Sequence, residues 1–285
     1  MPPASSTRGD RRPAGSCRWW RSPGRTWGSP ASRTPSGTCS WPRPRATWRR
    51  SGSAGGPWPG PPSRGSRPRP ASVELLVDPD PAAAGVRLFV AVRPRTLALA
   101  GGSTPRELYR RLALLPYPWR EVDVFFGDER CVPADHPDSN LRMATETLLA
   151  RVPARVHPMT GCDPERYEAE LVAVFGPGLP RFDLVFLGLG EDGHTASLFS
   201  GDRATLETER WVALVERPDH RRMTLTLPVL SAARVAAFLV TGRAKRAALA
   251  RLLRVDPEIP ASRVAAERVV VIADPEAAGE APRAR

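Results

Sequence analysis

Residues 72–275 are predicted to form an α/β fold, a Rossmann-like, mostly parallel sheet flanked by helices in a single domain. Three observations carry the prediction. Short apolar runs bounded by turn residues alternate with longer segments of helical period, the pattern of βαβ units. Three of those runs end in a glycine followed by polar or charged residues, as strands do at the crevice of an open α/β sheet. The stretch also differs sharply from what precedes it, since residues 1–70 contain no Leu, Ile, Val, Phe or Tyr.

In chain order, strands are expected at Val73–Val77, Thr96–Ala100, Val122–Phe126, Phe182–Leu187, Trp211–Val215, Met223–Leu227, Val235–Val240 and Arg268–Ile272. They are short, rich in β-branched and aromatic residues, and closed by Gly, Pro or charge. Helices are expected at Pro105–Leu114, Ser139–Arg151, Pro164–Phe175 and Ala244–Leu253. Pro105 suits a first helical turn, and Asp138, Ser139 and Asn140 offer capping side chains to the second helix. Only residues 78–95 are left for a helix between the first two strands. Ala82–Val92 is apolar without a clear stripe, so that helix is expected to be shortened or lost.

The charge divides where the composition does. Of a formal net charge of +12, residues 1–70 supply 14 Arg against one acid, Asp10, so the remainder is nearly neutral. Basicity of this size would ordinarily suggest a nucleic acid or an anionic membrane. Here it belongs to a segment too poor in aliphatic side chains to offset its ordering entropy. Pro and Gly density argues against an amphipathic organellar leader, and the interleaved Arg and Trp follow no fixed period. Residues 1–71 are therefore expected to be a disordered or spurious extension, and residues 276–285 a disordered tail. No apolar run of about 18 residues and no apolar leader core is present, so a cytoplasmic chain without a membrane partner is expected. Cys17, Cys39, Cys131 and Cys162 lie too far apart for C-x-x-C spacing and are expected to be free thiols, with no metal site.

Three loops after strands carry the chemistry. Gly101-Gly102-Ser103-Thr104-Pro105 opens a helix; its glycines admit close backbone approach, its hydroxyls donate, and the helix start supplies free N–H groups, together a phosphate cradle. An ordinary capped turn would read similarly, and no Gly-Lys-[Ser/Thr] of a Walker A loop follows. Gly127-Asp128-Glu129-Arg130 runs an apolar strand into three charges; Asp128 is placed to move a proton or orient a base, and Arg130 to pair a phosphate. In the third, Gly188, Gly190 and Gly193 spell G-x-G-x-x-G, but polar residues at Ser200-Gly201-Asp202 cut short the helix a dinucleotide requires, so no cofactor is expected. His194 in that loop stands beside Asp192, which can fix its tautomer. His136, His157 and His220 sit beside prolines or charged turns and are not expected to be catalytic.

Taken together, Gly101–Pro105, Asp128-Glu129-Arg130-Cys131-Val132-Pro133, Ser139-Asn140, Leu187–Phe199, Arg222-Met223-Thr224-Leu225-Thr226 and Thr241-Gly242-Arg243-Ala244-Lys245 resemble the 6-phosphogluconolactonase family, over about residues 96–264. The resemblance implies a phosphorylated sugar lactone as the small-molecule partner and a metal-free hydrolysis in the oxidative pentose phosphate pathway. That family shares a superfamily with glucosamine-6-phosphate deaminases, which carry a Glu five residues after the histidine. Phe199 stands there and cannot move protons, which favours hydrolysis over a sugar-phosphate isomerase or deaminase; an inactive sugar-phosphate binder is the other alternative. The resemblance and the residue chemistry agree on His194 as general base, with Asp192 orienting it and Asp128 nearby. Gly101, Gly102, Ser103, Thr104, Arg130, Arg222 and Lys245 are assigned to substrate and phosphate binding, and amides of the glycine loop are candidate oxyanion donors. Oligomeric state is not legible in the chain.

Overall fold

Val73–Val77 forms β1 at the start of residues 73–279, which are the residues the computed structural model describes. The expectations for residues 1–71 and 280–285 lie outside that range. Pro81–Val92 forms α1, a full 12-residue helix where sequence reasoning expected a shortened or missing one. Its residues lack a clean stripe because one side packs on the sheet and another on the following helix, leaving Ala82, Ala84, Leu88 and Phe89 all buried. Asp80 caps it, accepting from the Ala83 amide at 3.0 Å, and Pro81 occupies the first turn.

The chain continues through β2 (Thr96–Leu99), α2 (Ser103–Leu112), β3 (Asp123–Phe126) and β4 (Asp128–Arg130). Then come α3 (Asn140–Ala144), running into a π-helical turn at Thr145–Leu149, β5 (Arg155–Val156), α4 (Pro164–Phe175) and β6 (Leu184–Gly188). After these lie β7 (Val212–Val215), β8 (Arg222–Leu225), α5 (Leu227–Ala232), β9 (Val235–Val240), α6 (Arg246–Leu253), β10 (Arg268–Ala273) and α7 (Pro275–Ala278). The short helix α7 thus occupies the first residues of the expected disordered tail.

Seven strands make one sheet in the order β1-β10-β9-β6-β2-β3-β5, with every neighbouring pair parallel. Its central strands are almost wholly buried and, apart from Asp123 at the start of β3, are apolar, as a sheet covered on both faces requires. From β2 the chain steps outward through β3 to β5, whereas from β6 it steps the other way through β9 to β10. Loops leaving β2 and β6 therefore diverge, and a crevice opens at the carboxyl ends of these strands.

Two tyrosines fix the strand ends at that crevice. The buried Tyr109 hydroxyl accepts from the Ala100 amide at 2.8 Å and donates to the Ala100 carbonyl at 2.9 Å. Tyr167 treats Phe126 in the same way, at 2.8 and 3.3 Å. Each hydroxyl satisfies both polar groups of a backbone unit just before a glycine loop begins.

Two strand expectations change their setting. Trp211–Val215 and Met223–Leu227 were expected among the strands of one mostly parallel sheet. Their ordered parts, β7 and β8, instead form a separate antiparallel sheet with β4, and Leu227 opens α5. The Asp128–Arg130 segment, read as a charged loop, is the edge strand of that small sheet. Cys131 and Cys162, expected as free thiols, are joined in a disulfide across 31 residues, with Cα atoms 5.1 Å apart. Local spacing could not show this, because the fold brings the turn after β4 against the turn before α4. Cys17 and Cys39 lie outside the described residues. Among the described residues no helix is long and apolar enough to cross a membrane.

Candidate active site

A cleft of about 280 Å³ opens at the switch between β2 and β6. Gly101, Gly102, Ser103, Thr104, Asp128, Arg130, His194, Arg222 and Lys245 all line it. Asp192, the remaining residue singled out from the sequence, stands behind His194. Its Oδ1 is 2.6 Å from His194 Nδ1 and also accepts the His194 amide at 3.1 Å. Burial pushes the Asp192 carboxyl up, but the amide and ring of His194 outweigh this and hold it below the ordinary aspartate range. An ionised Asp192 keeps the proton on Nδ1, leaving Nε2 as the basic nitrogen.

The glycine loop makes this contact possible. A Cβ on Gly190 would lie 2.1 Å from His194 Nδ1 and 2.5 Å from Asp192 Oδ1, so any side chain there would displace the pair. The Gly190 amide donates to the His194 carbonyl at 2.8 Å, and the Gly193 amide to the Gly190 carbonyl at 3.0 Å. Both amides are spent in shaping the turn and are not free as oxyanion donors. Phe199 packs its ring 4.3 Å from the imidazole, and the Arg217 guanidinium lies 4.0 Å from the Phe199 ring centre. The histidine is thus held by a carboxylate at Nδ1 and by a hydrocarbon ring beside it.

On the same cleft, α2 begins at Ser103 with Gly102 at its cap and no side chain satisfying its first amides. Thr104 Oγ1 pairs with Thr241 Oγ1 at 2.6 Å, tying this loop to the end of β9. Lys245 follows in a 3₁₀ turn, its Nζ 3.8 Å from Glu191, with 28% of its side chain exposed. Arg130 and Arg222 are register partners on β4 and β8. Like charges placed opposite one another are unfavourable, and each has a buried Nε without a protein partner among the described residues. Arg222 also pairs with Asp219, whose carboxyl is held at about 2, first by the His220 amide and then by Arg222 itself. Two hydroxyls, free helix amides, two guanidiniums and an ammonium around one cleft suit an anionic ligand.

Asp128 is buried and makes no hydrogen bond to His194. Its Oδ2 accepts from Ser197 Oγ at 2.6 Å and its Oδ1 from Asn140 Nδ2 at 3.3 Å. Asn140 and Ser197 were not assigned to the site from the sequence, since neither stands in a glycine loop opening a helix, as Ser103 and Thr104 do, and only the fold brings them to Asp128. Asn140 also accepts from Arg130 Nη1 at 3.1 Å. A Cβ on Gly101 would lie 2.1 Å from Asn140 Oδ1, so the glycine is what lets the loop approach the asparagine. No group of three metal-ligating side chains occurs among the described residues.

Comparisons with known proteins agree with this geometry. The sequence profile described as glucosamine-6-phosphate isomerases/6-phosphogluconolactonase matches residues 87–272. A 6-phosphogluconolactonase of Synechocystis sp. is 43% identical over 177 residues, covering 57% of this chain and 74% of the relative. That of Mycobacterium tuberculosis is 36% identical over 243 residues, covering 74% and 98%. The solved structure of the Trypanosoma brucei 6-phosphogluconolactonase superposes with a TM-score of 0.65 at 33% identity, covering 73% of this chain and 98% of that one.

Proposed function

Because the chain belongs to the family of glucosamine-6-phosphate isomerases/6-phosphogluconolactonases, we propose that it hydrolyses 6-phosphogluconolactone to 6-phosphogluconate, with His194 as the general base. The observation that carries the proposal is the Asp192–His194 pair at 2.6 Å, with His194 lining a cleft that also holds anion-binding groups. In this reading Nε2 takes a proton from water as its oxygen attacks the C1 carbonyl. The tetrahedral oxyanion then collapses, the bond from C1 to the ring oxygen breaks, and the imidazolium returns its proton to that oxygen. Asp192 favours the imidazolium while it exists. Ser103, Thr104, Arg130, Arg222 and Lys245 hold the phosphate, and the substrate is a phosphorylated sugar lactone of the oxidative pentose phosphate pathway.

A ring-opening isomerase would need a second proton carrier beside the base. The carboxylate in contact with His194, Asp192, is engaged at Nδ1, and the ring packed beside the imidazole is Phe199, which moves no proton; this supports hydrolysis. A coupled assay with 6-phosphogluconolactone and with glucosamine 6-phosphate separates the two reactions. On the lactone, His194→Ala is expected to lower kcat by about 10²–10⁴-fold with KM little changed. Near-native turnover in that variant would remove the base from His194.

A further inference from the structure

Outside the cleft, the carboxylate of Glu129 is 4% exposed, has both oxygens doubly hydrogen-bonded, and makes no salt bridge among the described residues. Along β4, alternate side chains face opposite ways: Asp128 and Arg130 line the cleft, and Glu129 does not. Its Oε1 accepts from the amides of Arg130 and Asn140, both at 2.8 Å. Its Oε2 accepts from Ser139 Oγ at 3.0 Å and from the Leu141 amide at 2.7 Å. Burial pushes the carboxyl above its ordinary glutamate value, although these donors pull the other way.

This strand needs outside support. It is three residues long, pairs with β8 on one side only, and carries two cleft residues. Its far edge is closed by the Ser139–Leu141 turn, which is bonded through the Glu129 carboxylate and through Asn140 Nδ2 to the Asp128 carbonyl at 2.9 Å. Asn140, fixed by that turn, holds Arg130 Nη1 and approaches Asp128 Oδ1.

We infer that Glu129 is a positioning residue for the reaction: its carboxylate fastens the Ser139–Leu141 turn to β4 so that Asn140 sets the placement of Arg130 in the cleft. The inference rests on the sugar-phosphate reading of the site. It gives a neutral isostere a distinct outcome. A glutamine at 129 offers one acceptor oxygen and turns its NH₂ toward N–H donors in either orientation, so the turn must move.

The experiment measures Glu129→Gln, Asn140→Ala and the double variant in the full chain, with circular dichroism and melting as folding controls. Glu129→Gln is expected to raise KM at least tenfold with kcat within threefold of native, because the displaced arginine faces the phosphate. Asn140→Ala should do the same, and the double variant should be no worse than the poorer single one by more than threefold, because both act through one arrangement. Should Glu129→Gln not fold, Asn140→Ala, which keeps the carboxylate and the Ser139 cap, carries the test alone. A KM within threefold of native in the folded variants, a fall in kcat at unchanged KM, or losses that multiply in the double variant would each overturn the inference. The ratios are read on whichever of the lactone or glucosamine 6-phosphate the native chain turns over, and on 6-phosphogluconate affinity by calorimetry, which needs no turnover. A wrong function therefore shows in the native chain, and a wrong role for Glu129 in the variants.

Discussion

At the scale of single residues, Lys245 is distinctive because its ammonium can swing while the guanidiniums around the same cleft are planar forks. It stands at the start of α6, where a cation gains nothing from the helix dipole, and its contact with Glu191 at 3.8 Å is loose and partly exposed. Stability therefore gives no reason for a cation here, and ligand binding does. Lys245→Ala is expected to raise KM for the phosphorylated lactone at least tenfold, and to leave the slow reaction with unphosphorylated gluconolactone almost unchanged. Parallel steady-state assays on the two substrates check it; equal losses would place Lys245 at the lactone ring or in a structural role. Charged and glycine residues of this kind were legible in the sequence because they break apolar runs at strand ends. Asn140 and Ser197 were not, since their meaning lies in contacts with Asp128 from loops distant in the chain, and the tilted packing of Phe199 on His194 depends on how their shared loop folds.

Among the elements, β3 begins with a buried carboxylate that the proposed chemistry does not use. Asp123 takes Arg155 in a two-pronged grip, with Nε at 2.9 Å and Nη2 at 2.6 Å, and His157 Nε2 at 2.9 Å, so that its side chain is only 12% exposed. The Arg155 contact, against burial and with help from His157, holds the Asp123 carboxyl below its ordinary value of 3.8. A carboxyl lowered in the folded state stabilises fully above its unfolded value, and loses that contribution as pH falls through the folded one. Asp123→Asn is thus expected to destabilise by about 1–3 kcal/mol at neutral pH. The gap from native should close as pH falls below 3.8. Urea melts of both chains across pH 2–7 measure it, and a gap independent of pH would exclude the ion pair as its cause. Element reading from the sequence succeeded where strands were buried on both faces, and failed at α1. There a helix packed on two sides shows no single stripe, and the signals that mattered were the Asp80 cap and Pro81.

For residues 73–279 as a whole, the parallel sheet was legible in six of its seven strands, which are mostly apolar runs between turns; β5, the exposed pair Arg155–Val156, carries no such signal. The antiparallel β4-β8-β7 sheet was not, because a three-residue strand of charged residues has no hydrophobic signature. Nor was the Cys131–Cys162 bridge, which depends on tertiary approach alone. By loop-closure entropy, a link across 31 residues stabilises by about 3–4 kcal/mol. Reduction with dithiothreitol is expected to lower unfolding stability by that amount, and a Cys131→Ser, Cys162→Ser variant should match the reduced chain. Unchanged melts on reduction would show that the link adds nothing to stability. The cleft has a different kind of consequence for chemical labelling. Lys245 supplies the only ε-amine in a chain of 285 residues. An acylating reagent therefore meets one lysine, and that lysine lies in the cleft. Intact-mass spectrometry should record at most two additions, one at the α-amine and one at Lys245, with 6-phosphogluconate suppressing the second alone. One mass shift then reads out occupancy of the cleft without any turnover, in mixtures as crude as a cell extract.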